Sequence, residues 1–228
     1  MIAASCSVST TTDGTTITDQ SSGCPRAASL RAAVRVFLGI TGASGAPYAA
    51  RLLRALSEAG CEVGVCISDA GVQVLGAELW GDLALPREEV TARLTDGLPG
   101  VEVVGLRDYS TPYASGSARV DRYVVCPCSM STAASIAAGA MANLIHRAAS
   151  IALKEERKLV LVPRETPLST IHLENLLRLR RAGATIVFAA PGFYHAPQTV
   201  DDLVNFVVGR CLDQLGLDQT LVKRWGQK

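Results

Sequence analysis

With 228 residues, 48% of them apolar, the chain can bury one sizeable core but not two comfortable domains. A formal net charge of +1 excludes the basic footprint of a nucleic-acid binder and a polybasic membrane anchor. No apolar run approaches the ~20 residues that span a bilayer, so a soluble, non-membrane protein is expected.

Residues 1–33 differ from the rest. Twelve of the 33 are Ser or Thr, and the stretch has no aromatic residue and no apolar period. It cannot bury enough surface to offset the entropy of ordering, so a flexible tail is expected there, followed by a single domain over 34–228. A transit peptide would share the serine content but not Asp13 and Asp19, and it would carry more basic residues than Arg26 and Arg31.

From Val34 onward, strand-like and helix-like runs alternate. "VRVFLGI" leads through a glycine-serine loop into a helix over "PYAARLLRALSEAG", with Gly60 as its stop. "CEVGVCI" is a second strand and "VQVLGAELW" a short helix. "VEVVGL" and "RYVVCP" are further strands, followed by helices over "STAASIAAG" and "NLIHRAASIALKEE". "KLVLVP", "TIHLENLLRLRRAG", "ATIVFAA" and "DDLVNFVVGRCLDQLG" complete a strand, helix, strand, helix sequence. Strands that are apolar on both faces belong in a mostly parallel sheet covered by helices on both sides. The expected fold is a doubly wound α/β domain.

The cysteines number seven, an odd count. Cys126 and Cys128 are two apart rather than in the C-x₂-C spacing of a zinc knuckle. They read as reduced thiols of a cytoplasmic protein, with no metal site.

In a doubly wound sheet, ligands lodge outside the carboxyl ends of the strands, so the loops there carry the function. "GITGASG" spaces its glycines G-x-x-G-x-x-G. That spacing excludes the dinucleotide fingerprint, and the missing Gly-Lys-Ser/Thr excludes a P-loop. What remains is a tight turn whose N–H groups, with the next helix N-terminus, suit an anion, or else an ordinary strand-helix turn. "CPCSMST" adds Ser129, Ser131 and Thr132, more hydroxyls than one helix cap requires. "NLIHRAASIALK" sets Arg147 and Lys154 seven apart, two turns of one helix face, where an arginine among alanines expects an anionic partner. "VPRETP" puts a cation, Arg164, beside a carboxylate, Glu165, at a strand end, an anion holder next to a proton donor. "PGFYHAP" places Tyr194 on a proline-flanked loop, and Arg210 lies on the following helix.

Together "GITGASGAPYAARLL", "ASGS", "CPCSMST", "NLIHRAASIALKEERKLVLVPRETPLSTIHLENLL", "PGFYHAP" and "LVKRWG" closely resemble the flavin prenyltransferases, the UbiX-like flavoproteins with a Rossmann-like fold. The resemblance covers about residues 35–226. It implies an enzyme that takes reduced FMN and dimethylallyl monophosphate, attaches the prenyl group at flavin N5, closes a ring at C6 and releases phosphate. The product would serve a partner decarboxylase. The resemblance further implies no metal and a homo-oligomer, commonly a dodecamer, with sites between subunits.

Carried over by motif, Gly42, Ala43 and Ser44 match the family's first flavin loop, with Ser44 near the reacting nitrogen. Ser68, Ser129, Met130, Ser131, Thr132 and Arg164 match further FMN contacts. Arg147, Lys154, Tyr194 and Arg210 match the cradle for the prenyl phosphate. Glu78 and Glu165 match the carboxylates associated with the chemistry, and with Ser44 and Tyr194 they make up the expected catalytic set. Two alternatives remain: a related FMN-dependent cysteine decarboxylase, or a non-catalytic FMN-binding module. The first would usually carry a histidine after the third strand, where this chain reads "DYSTPYASGS". The second would have no use for the cradle.

Overall fold

Side chains of a strand alternate between two faces, and here both faces are apolar, which commits the strands to a sheet covered on either side. The computed structural model describes residues 33–222. Six strands among them pair in parallel: β1 (Arg35–Ile40), β2 (Glu62–Ile67), β3 (Val101–Val103), β4 (Arg122–Cys128), β5 (Lys158–Pro163) and β6 (Thr185–Ile186). Their spatial order is β3-β2-β1-β4-β5-β6. The expected tail, apart from Ala33, and most of "LVKRWG" lie outside the described residues.

Seven α-helices among the described residues cover the sheet: α1 (Ala46–Glu58), α2 (Asp69–Trp80), α3 (Arg87–Thr95), α4 (Met130–Ala137), α5 (Leu144–Lys154), α6 (Thr170–Arg181) and α7 (Val200–Leu215). Val36, Leu38 and Ile40 of β1 face one core, which α1, α2, α3 and α7 close. Phe37, with Tyr123 and Val125 of β4, faces the other, closed by α4, α5 and α6. In α1, Ala46, Ala49, Leu52, Leu53 and Leu56 fall on one stripe and are wholly buried. Each of those leucines contributes about 1.5–3 kcal/mol by leaving water. Gly60, at φ 72°, ends the helix in a left-handed turn that costs glycine nothing.

Three elements differ from expectation. α3 was not anticipated, because it buries only Val90 and Leu94 and is otherwise polar. β6 and β3 are each shorter than their apolar runs. Both are edge strands with a single neighbour to hold them. Beyond β6 the chain still follows β5, with the Val187 and Ala189 N–H groups donating to the Leu161 and Pro163 carbonyls.

Candidate functional site

The strand order reverses between β1 and β4, so the loops that follow them diverge at the middle of the sheet's carboxyl edge. Thr41, 1% exposed, ties these loops together. Its Oγ1 donates to the Pro127 carbonyl at 2.8 Å and accepts from the Ser129 N–H at 2.8 Å. Its own N–H donates to the same carbonyl at 3.2 Å. On the other side, the Ser68 N–H donates to the Ile40 carbonyl at 2.9 Å. Gly42 lies so close to α2 that a Cβ there would sit 2.5 Å from the Ala70 Cβ. The first loop needs glycine at that position because of close approach.

Of the helices that start at this edge, three bring a side-chain cap to the same cleft. The Ser68 Oγ accepts from the Gly71 N–H at the start of α2. The Ser129 Oγ accepts from the Thr132 N–H at the start of α4, and lies 3.1 Å from Ser131 Oγ and 3.0 Å from Thr132 Oγ1. The Asn143 Oδ1 accepts from the His146 N–H at the start of α5. All three caps line one cleft of about 350 Å³, together with Gly42, Ser131, Thr132, Ser135 and His146. Each helix start carries a partial positive charge of roughly half an electron. No Lys or Arg lines the cleft among the described residues. Asp69, on its rim, is paired with Arg87 at 2.5 Å. Hydroxyls and converging dipoles without cations suit an anion with many oxygens, above all a phosphate ester.

The start of α1 is different. Its N-terminal donors, the Gly45 and Ala46 N–H groups, both donate to Glu78 Oε2, at 2.9 and 2.7 Å. The anion expected at that helix terminus is therefore supplied by the chain itself. This places Glu78 against the first loop, where its carboxylate fixes Ser44 from the following residues.

From the end of β5, Arg164 reaches across to the first loop, its Nε donating to the Ser44 carbonyl at 3.2 Å. Neighbouring Glu165 is half-buried and accepts from the Thr166 N–H. Of the expected flavin contacts, Gly42, Ser68, Ser129, Ser131 and Thr132 meet in the cleft, and Ser44 and Arg164 join beside it. Ala43 and Met130 are each 5% exposed. The Met130 side chain packs in the core, which leaves only its backbone at the α4 start.

The four expected cradle groups split into two pairs. Arg147 and Lys154 both flank the segment around Ala114–Gly116. Arg147 Nε donates to the Ala114 carbonyl at 3.1 Å, with its Nη1 3.4 Å from Met141 Sδ, and Lys154 pairs with Glu155. Neither Arg147 nor Arg164 makes an ion pair with a described residue. Tyr194 packs edge-on against Phe206 of α7, and Arg210, on the same helix, pairs with Asp213. α5 and α7 cover opposite faces of the sheet. One chain alone keeps the two pairs apart.

Sequence reasoning overlooked Thr41, Ser135, Asn143 and His146. An Asn three residues before a histidine at a helix start is a legible cap. The other three gain meaning only from the cleft.

Comparison with known proteins agrees with this geometry. The Flavoprotein family model matches residues 27–212. The flavin prenyltransferase UbiX of Alkalihalophilus pseudofirmus is 49% identical over 191 residues, 83% of this chain and 95% of that one. The structure of AnUbiX (PadA1), in complex with FMN and dimethylallyl pyrophosphate, is 38% identical, with TM-score 0.77 over 86% of this chain and 99% of that one. A dodecameric FMN-dependent UbiX-like decarboxylase from Escherichia coli O157:H7 is 44% identical, with TM-score 0.75 over 85% of this chain and 100% of that one. The chain belongs to the flavoprotein family, and within it to the UbiX flavin prenyltransferases.

Proposed function

We infer that this protein is a flavin prenyltransferase, joining a dimethylallyl group from dimethylallyl monophosphate to reduced FMN. The observation that carries the reading is the cationless cleft at the switch point, where three capped helix starts meet beside the Ser44–Arg164 contact. The residues fit FMN. Its phosphate suits the hydroxyls of Ser68, Ser129, Ser131 and Thr132, and its ring system would extend past Gly42, Ala43 and Ser44 toward Arg164. When bound, the reduced flavin supplies the nucleophilic nitrogen and a π face that stabilises an allylic cation.

The chain's own groups have complementary work. Breaking the allylic C–O bond leaves charge on phosphate, and Arg147, Lys154 and Arg210, with the Tyr194 phenol, stabilise it as it develops. Glu165 delivers a proton toward the departing phosphate. Glu78 holds Ser44 in place through the Gly45 and Ala46 N–H groups and so keeps the first loop aligned.

Because Arg147 and Lys154 lie on one face and Tyr194 and Arg210 on the other, the cradle is completed between protomers. Exposed Ile171, Leu173 and Leu177 on α6, and Phe193 beside Tyr194, give apolar surface for that association. A dodecamer is the assembly proposed. The product would go to a decarboxylase that uses prenylated FMN. The five cysteines among the described residues are buried and unpaired, which suits a reducing cytoplasm.

The test is anaerobic incubation of the protein with reduced FMN and dimethylallyl monophosphate or pyrophosphate, followed by mass spectrometry. A flavin heavier by one C₅H₈ unit, with phosphate released, is expected. Tightly bound but unchanged flavin with either donor would contradict the reading.

A further inference from the structure

His146, in the first turn of α5, borders the cleft of the three helix starts. It is 7% exposed, and its Nδ1 is sealed from solvent with no hydrogen-bond partner among the described residues. A neutral imidazole carries a single N–H, and burying that donor unpaired costs about 1–3 kcal/mol. The tautomer that spares the donor protonates Nε2 and leaves the sealed Nδ1 as an unpaired acceptor, the lesser of the two costs.

We propose that His146 is a phosphate-binding residue of this chain, its Nε2–H donating to the FMN phosphate from the α5 wall of the cleft. The inference rests on the flavin reading above and adds an imidazole N–H to a cleft whose other polar side chains are hydroxyls, the Asn143 amide and the Arg87-paired Asp69. Asn143, at the start of α5, and Thr132, in the first turn of α4, also line the cleft, and Asn143 is already committed to the His146 N–H. The charged groups nearby are occupied elsewhere. Asp69 is held by Arg87, and Arg147, next along α5, turns to the Ala114 carbonyl. Burial lowers the proton affinity of His146, which keeps the ring neutral without ligand. A phosphate dianion beside Nε2 would raise it again.

Riboflavin, which is FMN without its phosphate, separates this contact from general flavin binding. Dissociation constants for FMN and riboflavin are measured by fluorescence quenching on the full-length wild type, His146→Ala and His146→Gln. His146→Ala is expected to weaken FMN about tenfold and to leave riboflavin unchanged. His146→Gln, whose amide can offer an N–H near the same point, should recover much of the FMN affinity. In NMR titration of the histidines, FMN should raise the pKa of His146 and riboflavin should not. Equal losses for both flavins, no loss for either, or a pKa unmoved by FMN would overturn the proposal while leaving flavin binding intact. A wild type that binds neither flavin would overturn both readings.

Discussion

Replacing Thr41 by Val keeps the shape of a buried side chain and deletes its hydroxyl. Two hydrogen bonds disappear, from Oγ1 to the Pro127 carbonyl and from the Ser129 N–H to Oγ1, both 2.8 Å long. The two partners fare differently. The Pro127 carbonyl keeps the Thr41 N–H, so its loss is near the ordinary net value of about 1 kcal/mol. The Ser129 N–H loses its partner beneath the loop, and an unsatisfied buried donor costs about 1–3 kcal/mol. The sum is roughly 2–4 kcal/mol, a large part of the 5–15 kcal/mol typical of a whole domain. Urea denaturation followed by far-UV circular dichroism measures it directly, with a parallel fall in melting temperature of about 2–4 °C per kcal/mol. FMN affinity should fall as well, because Ser129 caps α4 at the cleft. Thr41→Ser keeps both bonds and should lose only the methyl, about 1 kcal/mol. A Val variant no less stable than the Ser variant would refute the idea that Thr41 clamps the switch-point loops.

Glu78→Ala should cost about 1 kcal/mol in denaturation by uncapping α1, with Glu78→Gln costing less because its carbonyl can still accept from Gly45 and Ala46; equal losses would refute the capping account. Glu165→Gln should slow single-turnover prenylation measured by rapid quench by at least about tenfold without weakening FMN, and an unchanged rate would remove the carboxyl from the chemistry. For His146 the folded-state pKa lies below its usual value, so the unfolded chain takes up the extra proton as pH drops below about 6.5. Stability present above that pH is therefore lost as pH falls toward the folded pKa, and His146→Leu should flatten this part of the urea-midpoint profile between pH 7.5 and 5. Burial pushes the Cys66, Cys128 and Cys211 thiols up to about 12, and those of Cys61 and Cys126 upward too. Ellman's reagent should leave all five untouched in native protein and modify them in denaturant.

Much of the fold is legible because the central strands are apolar at every position and the helices between them are striped. β1, β2, β4 and β5 lie where their runs place them, and α1 ends where Gly60 predicts. α3 escaped because a helix that buries two side chains leaves almost no period to read, although Pro86 and the first-turn acids Glu88 and Glu89 mark its start. β6 misled in the opposite way: the run "ATIVFAA" has the apolar character of a central strand and the pairing of an edge. At the site, the hydroxyl loops and glycine spacing located the cleft. No sequence rule could say that Glu78, 32 residues beyond Ala46, fills the start of α1, since that contact depends on how α2 packs beside α1. Nor could spacing along α5 and α7 reveal that their cations occupy opposite faces. That depends on the direction from which each crossover helix returns to the sheet.

A cradle completed between protomers is tested most directly by mixing two disabled chains. Arg147→Ala and Arg210→Ala proteins, each alone, should transfer no dimethylallyl group to reduced FMN above background. Co-expressed with different tags and purified as hybrids, they should recover about a quarter of wild-type turnover, because about one interface in four then pairs an intact α5 with an intact α7. Hybrids as inactive as their parents would contradict the shared cradle, and full activity in either parent would contradict a role for that arginine.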